Sequence, residues 1–519
     1  MASSASAASD ATAAANPVPR HDAAPDAPFD PGRSRQLFFA VFPSIMLPMF
    51  MAAIDQTIVS TALPAIAGEM GELNRIAWIV VGYLLASTIA APVYGRLGDA
   101  LGRKRMMFVA LAIFIGASML CAAAPSVTLL AAARVLQGAG GGGLMTLCQA
   151  LLGEAVPPRE RARYQGWLSS IFVSSSTFGP VAGGWLTQSF GWRSIFLINL
   201  PFGLAAIALV ARLPRVAPPS DRFRFDTPGA VLFALFIAPL LLALEKAQRM
   251  DTHDLTLAAG LAAFAAVALG LLVRHERRAP QPLLPVGLMR NPSIWRAGVM
   301  ALCSGATVVS LVTFLPIYLR VVRGLDASTT GLLLLPLTAL IAVGSLITGR
   351  LMARTGRTAI FPSIGLPMVA LGLIFLAFAA PDLTVRQLPF LFAWLSLSIG
   401  TTMSVVQLTV QLVAGRAQLG AAAAGVQFSR SVGSAFGAAV TGAVLFAMIA
   451  LSDPVTANLF SRVVEAGPAA LSGLPPARLA RVQAEIAGAF RAAFLTIACF
   501  PLTSAIMAWT MPLRRLDGV

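Results

Sequence analysis

The 519 residues are 57% hydrophobic and 12% charged, with a formal net charge of +16. Soluble domains carry roughly a quarter charged residues, so a water-soluble fold is excluded: the polar surface needed to cover the Leu, Ala, Val and Phe is missing. The charge does not call for a nucleic-acid partner, because the Arg excess is spread over many short loops, and the scattered Cys121, Cys148, Cys303, Cys499, His21, His253 and His275 supply neither a disulfide framework nor a metal centre.

Residues 1–36 begin the chain as an Ala, Ser, Asp and Pro tail with almost nothing to bury, expected to be disordered and cytoplasmic. The tail lacks the basic start and apolar core of a signal peptide, so the first apolar block is expected to stay as a spanning helix. Blocks of about 20 apolar residues follow, the length of helix that crosses a hydrocarbon core of roughly 30 Å. In lipid these segments must be helices, whose backbone hydrogen bonds are made within the segment. Fourteen spans are expected, at about 37–60, 76–95, 106–124, 128–151, 164–188, 194–211, 228–246, 255–273, 294–319, 329–349, 359–379, 388–413, 425–450 and 490–511. A long outer loop is expected over 451–489 and a short cytoplasmic tail over 513–519.

With the N-terminus inside, inner loops and tails receive 23 Arg and Lys residues and outer loops 11. That bias follows the positive-inside rule and puts both termini in the cytoplasm. The high Ala and Arg content, with Lys104 and Lys246 the only lysines, fits a GC-rich bacterial genome and so a bacterial cytoplasmic (inner) membrane.

The loop after the second span reads Gly95-Arg-Leu-Gly-Asp99-Ala-Leu-Gly102-Arg103-Lys104-Arg105, and the loop after the tenth reads Gly349-Arg-Leu-Met-Ala353-Arg-Thr-Gly356-Arg357-Thr358. The two align without a gap and occupy the same place in each half. The architecture expected is therefore an all-α polytopic membrane protein with two six-helix bundles, 37–211 and 294–512, around an extra pair of spans within 212–293. Parallel repeats of this kind let two bundles rock about a central site, as transporters do.

Charges inside the membrane are the candidates for function. Asp55 lies near the expected outer end of the first span, and Arg134 lies about six residues, roughly 9 Å, below the outer end of the fourth. Similar depth lets each offset the other's burial. Gly138 and Gly140–Gly143 follow Arg134 and allow close helix approach or bending. In the fifth span, Gly179, Pro180, Gly183 and Gly184 give a closely packing surface with a kink point. Asp99 among Arg96, Arg103, Lys104 and Arg105 forms a loop network suited to favouring one conformation. Gln137, Gln407, Gln411 and Arg430 are candidates for a cavity lining, with Gln407 and Gln411 one turn apart on the twelfth span.

Four stretches resemble the major facilitator superfamily, and within it the fourteen-span drug:proton antiporter family. They are Ile54-Asp55 through Pro64, the Gly95–Arg105 loop, the stretch from Arg134 to Gly141, and Gly179 through Trp185 with its continuation Trp192 to Pro201. Asp226-Thr-Pro-Gly229 and Ser429-Arg430-Ser-Val-Gly433 are similar to that branch's entry to the extra pair and to its thirteenth span. Ser60 stands where the first-span motif more often has Asn, and the second loop copy has lost its acidic residue.

The resemblance implies alternating access, protons entering as a small, lipophilic or cationic drug-like compound leaves, with Asp55 and Arg134 in proton coupling. It implies no cofactor, the proton gradient being the energy source. A narrow-specificity metabolite or siderophore exporter and a proton-coupled uptake carrier are alternatives. A membrane enzyme or scaffold is disfavoured, since no clustered nucleophile, metal ligands or nucleotide-binding glycine loop is present. A monomer suffices for this mechanism, and a periplasmic adaptor and outer-membrane channel are possible partners on which the sequence is silent.

Overall fold

The computed structural model describes residues 31–71, 75–156, 158–213, 223–247, 252–284, 286–415, 418–453, 455–457, 459–460 and 475–515. The tail expected over 1–36 falls almost wholly outside the described residues. The first set of helices comprises α1 (Pro31–Met70), α2 (Ala77–Leu101), α3 (Arg103–Ala123), α4 (Val127–Ala155), α5 (Pro158–Phe190), the short α6 (Ser194–Leu197) and α7 (Asn199–Ala211). A pair follows, α8 (Thr227–Ala247) and α9 (Thr252–Glu276), then the short α10 (Val286–Met289). The last set is α11 (Pro292–Val321), α12 (Ala327–Thr355), α13 (Ile360–Ala379), α14 (Leu388–Ala414), α15 (Leu419–Ser452) and α16 (Pro476–Trp509).

Among the described residues, twelve spans are long and apolar enough to cross a membrane. The polytopic all-α class is thereby established. The fourteen spans expected also include α4 and α5, which run for 29 and 33 residues but lie outside that twelve. The cause is local: Arg134, Gln137 and the glycine run dilute the apolar character of α4, and Gln165 and the serines around Ser174 do the same in α5.

Each set has its own core. Tyr83, Phe114, Leu144 and Leu168 pack with Met49 in the first; Tyr318, Phe392, Phe490 and Phe494 pack in the last. The α8–α9 pair leans on both, with Phe233 edge-on to Phe428 of α15 at 5.4 Å and Leu85 of α2 against the same cluster. Lys246, at the end of α8, is ion-paired to Asp254 at 3.1 Å, which lets the charged turn sit at a membrane surface.

The ends of the helices differ from the sequence reading in two places. α1 continues to Met70, because Ile58, Val59, Ala62 and Ile66 prolong a buried helical stripe past Ser60. α16 takes up Pro476 onward from the stretch read as the 451–489 outer loop, because Val482, Ile486 and Phe490 bury one face while Arg478 and Arg481 face outward. Residues 461–474 of that stretch lie outside the described residues.

The two sets meet near the face that carries the basic loops. Gly95 of α2 and Gly420 of α15 approach so closely that a methyl group on either would strike the other's carbonyl oxygen. Gly166 of α5 packs on the backbone of Leu346 in α12, and Gly349 of α12 on that of Ala162. Ser345 donates to Ser169 at 2.8 Å, and Gln411 to the Gln149 carbonyl at 3.1 Å. These contacts all lie within about 17 Å of the basic ends of their helices. The two sets are closed against each other at the basic face.

Candidate functional site

Asp55 is one side of a sealed polar network inside the first set. It sits about 22 Å from the α1 end at Met70, deeper than the sequence reading placed it. Arg134 lies about 10 Å in from the start of α4, and the two side chains meet. Arg134 Nη1 donates to Asp55 Oδ2 at 2.5 Å, with both side chains almost wholly buried, at 1% and 0% exposure.

The remaining valences are filled by neighbours. Gln137, one turn along α4, donates through Nε2 to Asp55 Oδ1 at 2.8 Å and accepts from Arg134 Nη1 at 2.6 Å. Arg134 Nε donates to the Ile79 carbonyl of α2 at 3.1 Å, and its guanidinium carbon stands 4.2 Å from the Tyr83 ring centroid. Asn199 Nδ2 donates to Asp55 Oδ1 and to Ser118 Oγ, each at 3.2 Å. Gln137 Nε2 also donates to Ser118 Oγ at 2.7 Å. A charge buried in hydrocarbon is costly unless paired and hydrogen-bonded, and here both conditions are met.

Asn199 and Ser118 were not picked out in the sequence. Asn199 is the first residue of α7, just after a break in the sixth apolar block. Pro201 accounts for that break, since it lacks an N–H and its ring crowds the carbonyl four residues earlier, at Leu197. The sequence signal was available: Asn199 is a lone amide in an otherwise apolar block.

The fifth-span motif lies against the same stretch of α1. A methyl group at Gly179 would strike Thr57, and one at Gly183 would strike Thr61 and Ile58. Thr57 Oγ1 donates across the gap to the Ser175 carbonyl at 3.0 Å. Gly184 has nothing within reach, and Pro180 is exposed, so the motif works through one face only. The glycines after Arg134 also serve close approach: Gly138 and Gly142 seat the α2 backbone, and Gly140 that of α3.

At the basic face, Asp99 Oδ1 and Oδ2 accept from the backbone N–H groups of Gly420 and Ala421 at 3.0 and 3.1 Å. A carboxylate of one set therefore caps the first turn of α15 in the other, where the helix dipole favours negative charge. Arg103 holds it, donating to Asp99 at 2.7 Å and to Glu154 at 2.5 Å. Gly102 makes the turn with a φ of +92°, and its counterpart Gly356 has +66°. Arg105 is exposed.

The four residues read as a cavity lining separate. Gln137 belongs to the Asp55 network, and Gln411 bridges α14 to α4. Gln407 is buried with Nε2 unpartnered, while Arg430 is half-buried with Nε unpartnered. No group of three or more His, Cys, Asp or Glu side chains able to hold a metal occurs among the described residues.

A family model described as Major Facilitator Superfamily matches residues 45–438, which takes in the Asp55 network, both loops and the α15 contact. The chain belongs to the major facilitator superfamily. It is thus a multi-pass secondary transporter of small molecules and not an enzyme. An uncharacterized MFS-type transporter of Mycobacterium tuberculosis is 34% identical over 472 residues, 90% of this chain and 68% of that protein. The multidrug transporter protein MdtP of Bacillus subtilis is 32% identical over 403 residues, 77% of this chain and 74% of that one. The crystal structure of the human organic anion transporter MFSD10 superposes with a TM-score of 0.63 at 14% identity, over 92% of this chain and 100% of that one, a likeness of fold alone.

Proposed function

We propose that this chain is a fourteen-span exporter of small, lipophilic or cationic compounds, driven by proton exchange. It sits in a bacterial cytoplasmic membrane with the basic face and both termini inside. In this reading α4 and α5 join the twelve apolar spans, and residues 37–211 and 294–512 form two six-helix bundles around the α8–α9 pair.

The observation that carries the reading is the sealed Asp55–Arg134 pair and its connection to α5. Asp55 on α1 lies beside the Gly179 and Gly183 contacts with α5, and α5 in turn packs on α12 of the other set through Gly166 and Ser169. Protonation of Asp55 removes the charge that holds Arg134. The cost of the freed guanidinium then favours a different packing of α1 on α5, which α5 passes to the interface with α12. A proton that stabilises one packing more than the other is what couples its gradient to substrate movement. The multidrug transporter among the relatives supports export as the direction.

Everted membrane vesicles energised with a proton gradient test the direction. Accumulation of a lipophilic cation inside them, abolished by a protonophore, is expected; accumulation only in right-side-out vesicles under an inward gradient would mean uptake.

A further inference from the structure

The second loop copy keeps Arg350 and Arg357 in the places of Arg96 and Arg103, has Thr358 and Ala359 in those of Lys104 and Arg105, and has lost its carboxylate. Asp99 aligns with Ala353, and Arg103 with Arg357. In the first copy Arg103 is neutralised by Asp99 and Glu154. In the second copy no ion pair takes that place among the described residues, and the sequence holds no Asp or Glu from Ala327 to Pro381.

Instead, more positive charge is brought in. The segment after α16 folds back onto the loop: Arg515 and Arg357 form an antiparallel bridge, Thr358 N donates to the Arg514 carbonyl at 3.0 Å, and Thr358 Oγ1 to the Leu513 carbonyl at 3.0 Å. Arg357, Arg514 and Arg515 thus line one cavity of about 360 Å³ with Ser363, Ile360 and Trp509. Trp509 Nε1 donates to the Ser363 carbonyl at 3.0 Å, and Arg514 to the Trp509 carbonyl at 2.9 Å, so the walls are fixed. None of the three arginines forms an ion pair among the described residues.

The cavity opens where α13 begins and α16 ends, at the level where a half-exposed tryptophan marks a headgroup region. A stripe of exposed apolar side chains runs from it into the membrane, through Ile360, Ile364 and Leu371 of α13 and Ile506 and Leu502 of α16. We propose that this cavity binds the phosphate headgroup of an anionic phospholipid, with an acyl chain along the α13–α16 stripe. The lipid supplies in the second half the negative charge that Asp99 and Glu154 supply in the first. Basic pockets between spanning helices suit such headgroups, and the apolar stripe selects a lipid over free phosphate.

Native mass spectrometry and thermal unfolding of the full-length protein in detergent test this, with phosphatidylglycerol, phosphatidylcholine and inorganic phosphate as probes. Retention of phosphatidylglycerol over phosphatidylcholine is expected, with a rise in unfolding temperature that inorganic phosphate does not reproduce. The triple variant Arg357→Gln, Arg514→Gln, Arg515→Gln should lose about tenfold or more in affinity. The control Arg350→Gln, Arg354→Gln, in exposed residues of the same loop outside the cavity, should lose little. Equal retention by the triple variant and the control would overturn the site. So would equal retention of both lipids by the wild type, a readout that does not depend on the triple variant folding. Stabilisation by inorganic phosphate equal to that by phosphatidylglycerol would overturn the lipid.

Discussion

Arg134 of α4 donates to Asp55 of α1 across 2.5 Å, and neither side chain reaches solvent. Two charges taken out of water hold each other, and three amide or guanidinium donors converge on one carboxylate. The pair is closed in this conformation, so the protonation of Asp55 proposed above requires another one. That requirement is what makes a buried pair useful to a coupled transporter.

Removing one charge leaves the other stranded. Asp55→Asn keeps the shape but leaves Arg134 buried without a counter-charge, at a cost of about 3–5 kcal/mol. The unfolding temperature in detergent should fall. Replacing both, Asp55→Leu with Arg134→Met, should recover much of the stability without recovering transport, which separates the structural role of the pair from its coupling role.

Asn199 should matter although it carries no charge. Asn199→Leu deletes a donor to Asp55 and one to Ser118, and leaving buried acceptors short of a partner costs about 1–3 kcal/mol. Thermal unfolding would register the loss, and proton-coupled efflux should weaken while expression in the membrane persists.

The closed basic face depends on Asp99. Asp99→Asn removes the charge that caps Gly420 and Ala421 and that Arg103 holds, an effect of about 1 kcal/mol or more. The conformational balance should move by several-fold toward opening at that face. Faster labelling of a cysteine introduced at Ala424, beside Gly95, reports it; an unchanged rate would mean that the glycine contacts alone hold the face shut.

The two glycine positions of the fifth-span motif should be unequal to the third. Gly183→Ala forces its methyl group into Thr61 and Ile58 and should cost about 1–3 kcal/mol. Gly184→Ala meets no atom and should leave both stability and transport near wild type. Paired efflux and unfolding measurements on the two variants check this.

Much of this was legible in the sequence, and the reasons for the remainder are physical. Apolar blocks fix helices wherever backbone groups have no water to bond, so the helical architecture follows from composition. The depth argument brought Asp55 and Arg134 to one level because rise per residue is fixed. What it lacked was the length of α1: the first span was expected to end near residue 60, while the buried stripe through Ile66 runs on to Met70. Gln411 and Gln137, assigned alike by residue type, serve different contacts because the partner across the helix interface decides the role. The capping of α15 by Asp99 joins residues far apart in the chain, and no local pattern encodes such a contact.

Proton movement across sealed proteoliposomes under an imposed pH gradient, on adding a panel of lipophilic cations and neutral compounds, tests the coupling assigned to Asp55 most directly. The wild type should release protons when substrate is added, and Asp55→Asn, correctly folded and inserted, should bind substrate without moving protons. Full substrate-triggered proton release by Asp55→Asn would contradict the assignment.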